Sequence, residues 1–113
     1  FMKVAYKIWL DNNGKAFGEG PYQLRERIEK TGSLHQAAME MKMSYRKAWL
    51  TIKAMEERLG FALIDRKVGG VSGGGSRITD RGHALMKRYG EFRGESRKVL
   101  EEVYEKYFGQ GLP

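Results

Sequence analysis

Apolar residues recur at helical spacing in two neighbouring segments near the middle of the chain. In the first segment they follow the i, i+3, i+4, i+7 pattern and comprise Leu34, Ala37, Ala38 and Met41. In the second segment they comprise Tyr45, Ala48, Trp49, Ile52, Met55 and Leu59. Ser33 and Ser44 precede the two segments as N-cap residues, and Gly60 follows the second as a C-terminal glycine. The pattern predicts a short helix, a tight turn and a longer helix over about residues 45–59.

The polar face of the longer helix begins with cationic and hydroxyl-bearing residues. These are Arg46, Lys47, Thr51 and Lys53. A short helix, a tight turn and a longer helix with a cationic N-terminal half form the layout of a DNA-binding helix-turn-helix, whose second helix, the recognition helix, enters the major groove. In that setting Arg46 suits bidentate contact with guanine, and the exposed Leu50 suits contact with a thymine methyl group. The alternative is that the cations are merely solvated.

Specific roles are predicted for three residues at the turn and near the start of the recognition helix. Lys42 occupies a turn position that often requires glycine, so a positive φ there stores about 1 kcal/mol of local strain. Tyr45 lies at the edge of the apolar stripe and at a groove-facing position, and we expect it to contact DNA. Trp49 is interpreted as partly core.

A strand, a flexible loop and a second strand follow Gly60. Residues 61–67 have strand character, residues 68–76 are rich in glycine and serine, and Arg77 begins a short second strand. This pattern predicts a wing over about residues 61–78, in which small residues permit close approach to a phosphate backbone or minor groove. The loop also imitates part of a nucleotide-binding P-loop, but Gly75 occupies the position of the essential lysine, which argues against a nucleotide-hydrolysing enzyme.

The N-terminal region alternates between apolar and polar residues. The alternation over residues 2–10 predicts a β-strand, Asn13 and Gly14 suit the positive-φ positions of a type I′ turn, and residues 16–17 form a short return strand. We interpret this hairpin as a flap over the helical core. A helix is then predicted to begin at Gly20–Pro21 and to end at Gly32.

A long helix is predicted at the C-terminal end, from about residue 80 to residue 108. A heptad-like strip runs along it and comprises Leu85, Tyr89, Phe92, Ser96, Val99, Val103 and Tyr107. At roughly 40 Å, such a helix is longer than a domain of this size can cover. We therefore expect a homodimer interface along this strip, with parallel and antiparallel pairing both open. The alternative is a helix that folds back on its own domain.

Composition favours a nucleic-acid partner and excludes several other classes. The 113 residues carry a net charge of +7, which favours a polyanionic partner, and the absence of cysteine excludes disulfides and thiolate metal sites. The two histidines, His35 and His83, lack metal-ligand spacing, so no metal, cofactor or catalytic residue is expected. No apolar run reaches the ~20 residues that span a bilayer, and no signal peptide is apparent, so a cytoplasmic location is expected.

The ordered motifs resemble the winged-helix head of LysR-type regulators and, more closely, the N-terminal DNA-binding domain of the molybdate-responsive ModE family. The LysR-like positions are Ala37–Ala38, Ser44 through Ile52, Glu56 through Gly60 and Leu63 through Arg66. The ModE-like positions are Gly32–Leu34, Ala37–Ala38, Met43–Trp49, Arg66–Gly70, Gly73–Gly75 and Ile78–Gly82. The resemblance covers roughly residues 21–89.

Together these features imply a mainly α protein with small β-hairpins: a winged helix-turn-helix over residues 1–79 and a dimerisation helix with its tail over residues 80–113. The expected function is that of a homodimeric, sequence-specific regulator of transcription that binds duplex DNA. The expected DNA-binding residues are Ser33, Ser44, Tyr45, Arg46, Lys47, Leu50, Thr51, Lys53, Lys67 and Arg77. ModE regulators bind molybdate through C-terminal domains, so molybdate sensing is expected only through a domain or partner outside these residues.

Three other functions remain open at this point. One is an enzyme that binds a phosphate ligand in the glycine-rich loop, although the missing lysine weakens this alternative. Winged helices also mediate protein–protein contacts, in which case the basic helix would bind an acidic partner. RNA binding is a lesser alternative, because the aromatic residues fall on helical stripes and not on an exposed sheet.

Overall fold

The protein is a mainly helical winged helix-turn-helix with two antiparallel β-hairpins. A computed structural model describes residues 2–67 and 75–113, apart from the side chains of residues 66 and 67. The elements, in chain order, are β1 (Trp9–Asp11), β2 (Lys15–Gly18), α1 (Glu19–Thr31), α2 (Leu34–Glu40), α3 (Tyr45–Leu59), β3 (Ile64–Lys67), β4 (Gly75–Ile78) and α4 (Asp80–Phe108). The predicted fold class is thus confirmed. Most of the predicted loop, residues 68–74, lies outside the described residues.

One hydrophobic core joins all four helices to both hairpins. Its buried members are Phe17, Leu24, Ile28, Leu34, Ala37, Ala38, Ala48, Ile52, Met55, Leu63, Ile64, Ile78, Met86 and Tyr89. Three alanines, Ala37 and Ala38 on α2 and Ala48 on α3, are almost completely buried. Small side chains at these positions let helix backbones cross closely, which holds α2 and α3 in the compact arrangement that the apolar spacing predicts.

The helix ends are built by local capping, as the sequence indicates. The Ser33 and Ser44 hydroxyl oxygens accept hydrogen bonds from the backbone N–H groups of Gln36 and Lys47, at 3.1 and 3.0 Å. Gly60 closes α3 in the left-handed conformation, with φ of 84°. Because each cap uses only residues in its own turn, the bounds of α2 and α3 follow closely from the sequence.

The predicted N-terminal strand over residues 2–10 is wrong in its length. β1 contains only residues 9–11, and Trp9 pairs with Gly18, which is also the N-cap of α1. β2 ends at Gly18 because α1 begins at Glu19. No residue of β2 is therefore left to pair with residues 2–8. The turn also differs from the predicted type I′ form: Asn13 and Gly14 do have positive φ, but Asp11 pairs with Lys15 across a three-residue loop.

The N-terminal hairpin nevertheless covers the core, as predicted, and four contacts hold it and the residue before it. The Tyr89 hydroxyl of α4 donates a hydrogen bond to the Ile8 carbonyl at 3.2 Å, and the Tyr89 ring packs edge-on against Phe17. The Asn12 side-chain amide donates to the Arg58 carbonyl, and the Arg58 guanidinium donates to the Lys15 carbonyl. These contacts dock the hairpin on both α4 and the C-terminal end of α3.

Helix α4 has the predicted length but two different environments. Its first turns belong to the domain core, where Met86 and Tyr89 are each about 2% exposed. Its remaining turns extend outward and make the molecule 63 Å long. The boundary predicted after residue 79 lies between β4 and α4, and residues on both sides of it belong to the same hydrophobic core. The assignment of Tyr89 to a dimer interface is wrong, since this ring is already buried within its own chain.

The buried phenol of Tyr89 should make stability depend on alkaline pH. Burial, and secondly the negative charge of Glu19, raise the pKa of Tyr89 above its ordinary value of 10.0, against the opposing effect of Arg93. The folded state therefore holds the phenolic proton more tightly than the unfolded state. The stability that the protonated Tyr89 side chain contributes is complete below about pH 10. It is lost as the pH rises through the folded-state pKa of Tyr89.

We expect Tyr89→Phe to lower the free energy of unfolding by about 1 kcal/mol at neutral pH, because the hydrogen bond to the Ile8 carbonyl is lost. Thermal unfolding from neutral pH to above pH 10 should show this difference from wild type shrinking. The exposed Tyr107 provides the control, because Tyr107→Phe should follow the wild-type profile throughout. A difference that stays constant with pH would contradict the assignment.

Candidate nucleic-acid interface

The turn between α2 and α3 places the start of α3 at the protein surface. Lys42 has a φ of 58°, in the left-handed region, so the strain expected for a non-glycine residue there is present. The backbone N–H of Met43 donates to the Ala38 carbonyl at 3.0 Å, which closes the turn against α2. This short turn connects α2 directly to α3, and residues 44–47 at the start of α3 are exposed to solvent.

Five of the predicted DNA-binding residues come together on one shallow depression of α3. The depression is lined by Ser44, Arg46, Lys47, Leu50, Thr51 and Ala54. Arg46 and Lys47 are exposed and form no ion pair within the described part of the chain. Leu50 is 53% exposed, so its apolar side chain is open to solvent beside these cations. The surface therefore combines two cations without an ion-pair partner in the described structure with the apolar side chains of Leu50 and Ala54, and its lining contains no acidic residue.

The predicted hydroxyl contacts are constrained by bonds inside the helices. The Thr51 hydroxyl donates to the Lys47 carbonyl at 2.8 Å, so its remaining capacity toward a ligand is as an acceptor. The Ser33 and Ser44 oxygens accept the capping N–H groups, which leaves their hydroxyl protons available for donation to a phosphate. Ser33 lies at the start of α2, outside the depression on α3.

Two aromatic residues on α3 differ in how far they reach solvent. Tyr45 is 39% exposed, and its ring lies 5.7 Å from the His35 ring of α2. Trp49 is half-buried against the core, in agreement with its interpretation as partly core. Neither side chain lines the shallow depression, so Tyr45 flanks the surface formed by Arg46, Lys47 and Leu50.

Lys53 has partners within its own helix. Its ammonium nitrogen lies 4.3 Å from the centre of the Trp49 ring and 3.2 Å from a Glu56 carboxylate oxygen. Its side chain is still about half exposed. If Lys53 binds a DNA phosphate as predicted, it does so with a side chain that Trp49 and Glu56 already position.

The wing is present as the β3–β4 hairpin, in register from Ile64 opposite Ile78 to Lys67 opposite Gly75. Asp65 lies directly opposite Arg77, and their charged groups are 3.8 Å apart. Because both side chains are well exposed, this pair contributes little stability and leaves Arg77 accessible. The side chain of Lys67, another predicted DNA contact, lies outside the described residues.

Contacts at the base of the wing were not anticipated from the sequence. Glu56 of α3 accepts hydrogen bonds from the backbone N–H groups of Leu63 and Ile64. The Thr79 hydroxyl donates to the Ala62 carbonyl at 2.7 Å, and the Ser76 N–H donates to the Gly32 carbonyl at 3.0 Å. Glu56 lies within a LysR-like motif, but sequence spacing alone does not show which distant groups it reaches.

The outer part of α4 carries an apolar strip that is exposed to solvent. Its exposed members are Phe92, Val99, Val103, Tyr107 and Phe108. Ser96 lies between them and is partly exposed. Leu85 packs against the domain core and, like Tyr89, belongs to the buried end of the helix. The strip predicted for dimerisation is thus reduced to residues 92–107.

The two histidines and the acidic residues were also compared with the requirements of a metal site, in the parts of the chain that the structure describes. These parts contain no group of three or more histidine and acidic residues able to hold a metal ion. His83 lies between Arg25 and Glu29 of α1, at 3.4 and 3.9 Å, where it links α4 to α1. Among the described helices, none combines the length and the apolar character needed to cross a membrane.

Comparison with known families identifies the central part of the chain. Residues 23–83 match the family described as bacterial regulatory helix-turn-helix protein, lysR family. A crystal structure of a CbnR_DBD–DNA complex contains a chain with the same fold, with a TM-score of 0.53 and 22% identity. The match covers 73% of this chain and 92% of that chain.

Curated relatives share sequence over most of this chain. Molybdenum transport protein ModE of Azotobacter vinelandii is 32% identical over 101 residues, covering 88% of this chain and 37% of the relative. Molybdenum-pterin-binding protein MopB of Rhodobacter capsulatus is 32% identical over 98 residues, covering 87% and 36%. DNA-binding transcriptional dual regulator ModE of Escherichia coli K12 is 35% identical over 85 residues, covering 75% and 29%. The chain thus spans only about a third of the length of these relatives.

The strained turn gives a direct test of the helix-turn-helix geometry. We expect Lys42→Gly to raise the free energy of unfolding by up to about 1 kcal/mol, because glycine adopts positive φ without steric cost. The matched control is Lys87→Gly in the interior of α4, which should instead lower it by about 1 kcal/mol. Urea denaturation measures both changes, and destabilisation by Lys42→Gly as large as that by Lys87→Gly would refute the strained turn.

Proposed function

This chain belongs to the lysR family of bacterial regulatory helix-turn-helix proteins, and from that membership we propose that it is a sequence-specific, ModE-like regulator of transcription that binds duplex DNA as a homodimer. The observation that carries the proposal is the exposed start of α3. There Arg46, Lys47 and Leu50 share one surface directly after a tight turn. A helix presented in this way fits the major groove, with its first two turns toward the base edges.

Most of the affinity is assigned to contacts with the phosphate backbone. Lys47 and Lys53 on α3 and Lys67 and Arg77 on the wing are the proposed phosphate-binding residues. The Ser33 and Ser44 hydroxyl protons can add hydrogen bonds to the backbone at the N-termini of α2 and α3. Since such contacts release counterions, affinity should fall steeply as salt rises.

Sequence choice is assigned to α3. Arg46 has the fork geometry to bind guanine bidentately, and Leu50 offers an apolar surface to a thymine methyl group. Thr51 donates its proton to the Lys47 carbonyl, so it would accept a hydrogen bond from a base amino group. Tyr45, beside His35, would contact the edge of the same site.

The outer half of α4 supports the proposed homodimer. Val99, Val103 and Tyr107 are each about half or more exposed and lie along one face of the helix. A second copy of the chain would bury this strip, and a two-fold dimer would hold two recognition helices about one DNA turn apart. We assign any molybdate sensing to a domain or partner outside these residues, and we place the protein in the cytoplasm with its target DNA.

Selection of bound sequences from random duplex DNA, at about 0.15 M salt, tests the function directly. We expect an inverted repeat whose half-sites lie about one helical turn apart. The same protein should be offered an acidic polypeptide of equal charge density. Recovery of no preferred sequence, together with binding to the polypeptide, would replace the proposal with a protein-interaction function.

Two substitutions on α3 test whether Arg46 selects the base sequence while Lys47 binds the phosphate backbone. Arg46→Ala should relax the base preference at one position of each half-site, with a loss of about 1–3 kcal/mol for the preferred base. Lys47→Ala should weaken binding to all sequences similarly and reduce the slope of affinity against salt. Lys98→Ala on α4 is the control for loss of one positive charge. Equal effects of both α3 changes on selected and random DNA would contradict the division.

Substitutions at two neighbouring residues of α4 test the proposed dimer. Val99→Gln places a polar side chain on the apolar strip and should shift sedimentation equilibrium toward the monomer. Lys98→Gln changes the adjacent residue on the opposite face, and we expect it to leave the association unchanged. Two variants with the same monomer–dimer equilibrium would remove the strip as the interface.

A further inference from the structure

Glu56 is an acidic residue in an intrinsically unfavourable place. It lies in the last turn of α3, near the C-terminal end of the helix, where the helix dipole disfavours negative charge. Its side chain is only 10% exposed, so water solvates the carboxylate poorly. A carboxylate in such a position needs specific hydrogen-bond donors to remain there.

Three donors surround this carboxylate. One oxygen accepts hydrogen bonds from the backbone N–H groups of Leu63, at 2.7 Å, and Ile64, at 3.3 Å. The other oxygen lies 3.2 Å from the Lys53 ammonium nitrogen. Charge-assisted bonds of this kind are stronger than bonds between neutral groups. The carboxylate therefore joins the C-terminal end of α3 to the chain segment that follows it.

That segment is the start of the wing. Ile64 is the first residue of β3 and pairs with Ile78 of β4, so bonds to Leu63 and Ile64 hold the hairpin at its base. Other contacts attach the same base elsewhere: Thr79 holds it at the start of α4, and the Gly32 carbonyl holds β4 through Ser76. Glu56 supplies the side-chain attachment from α3 itself.

We propose that Glu56 is a positioning residue that fixes the wing relative to the recognition helix, so that both contact one DNA duplex as a rigid unit. The inference rests on the proposed function, because the relative position of α3 and the wing matters for affinity only if both bind the same duplex. Holding two contact surfaces in place before binding removes an ordering cost that would otherwise be paid at each binding event. Lys53 shares the same carboxylate, so one ionic group orients both a phosphate-binding side chain and the wing.

The chain offers a matched control in the next residue. Glu57 has the same charge in the same helical turn, but it is exposed, and its side chain makes no hydrogen bond or ion pair with the rest of the described structure. Glu57→Ala therefore reports the effect of removing one negative charge near DNA. Glu56→Ala removes the charge and the attachment together. Glu56→Gln keeps an oxygen that can accept the two N–H bonds but loses the ion pair with Lys53.

Amide hydrogen exchange of the free protein tests the attachment. We expect Glu56→Ala to accelerate exchange at Leu63 and Ile64 by about tenfold or more, because opening of the wing base becomes easier. Glu56→Gln should produce a smaller acceleration, and Glu57→Ala should produce none. Unchanged exchange at both amides in Glu56→Ala would overturn the attachment. If Glu56→Ala does not fold, Glu56→Gln provides the same comparison in a milder form.

Hydroxyl-radical footprinting on the selected duplex tests the role in binding. We expect Glu56→Ala to lose the flanking protection assigned to the wing, to keep the central protection assigned to α3, and to bind about tenfold more weakly. In an Arg77→Ala background, where a wing contact is already missing, the further loss caused by Glu56→Ala should be smaller. Glu57→Ala should keep the full footprint.

The outcomes separate this inference from the proposed function. If the wild-type protein gives no footprint on any selected duplex, the DNA-binding function fails and the role of Glu56 fails with it. If the wild type gives a footprint and Glu56→Ala retains the flanking protection, only the positioning role is overturned. Uniform weakening of both protected regions, with no dependence on Arg77, would reduce Glu56 to a stabilising residue of the fold and would also overturn it.

Discussion

The close crossing of α2 and α3 is the packing constraint on which the rest of the surface depends. Ala37, Ala38 and Ala48 are almost completely buried, and a larger side chain at any of them would push the helices apart. The strained residue Lys42 makes the turn between the helices short enough for that crossing. Because Ala48, Ile52 and Met55 turn one face of α3 into the core, the opposite face is left exposed, with Arg46 and Leu50 on it.

Four charged residues on α3 fall into two groups with different uses. Arg46 and Lys47, in the first turns, have no ion-pair partner among the described residues and present positive charge to solvent. Glu56 and Arg58, in the last turns, bind backbone groups of the wing base and the N-terminal hairpin. The N-terminal half of the helix is thus available for an external anion, while the C-terminal half is attached to the domain. This separation gives α3 a free binding surface on a rigid support.

Much of the candidate site could be predicted from the sequence, because its residues are neighbours on one helix. Ser44, Arg46, Lys47, Leu50 and Thr51 share a surface through helical periodicity alone. The same reasoning failed for the buried Tyr89, whose spacing matches an exposed heptad strip equally well. Periodicity shows that residues lie on one face, but it does not show whether the domain's own core or a second chain covers that face.

The sequence by itself determined the helix ends, the tight turn and the alignment of side chains along α3 and α4. These features depend on capping hydroxyls, left-handed glycines and residue spacing, all of which act within a turn or two of the chain. Only the tertiary structure decided that β1 begins as late as Trp9, that Tyr89 is core, and that Glu56 accepts hydrogen bonds from the base of the wing. Each of these depends on which distant backbone or ring lies opposite once the chain has folded, and no local pattern in the sequence carries that information.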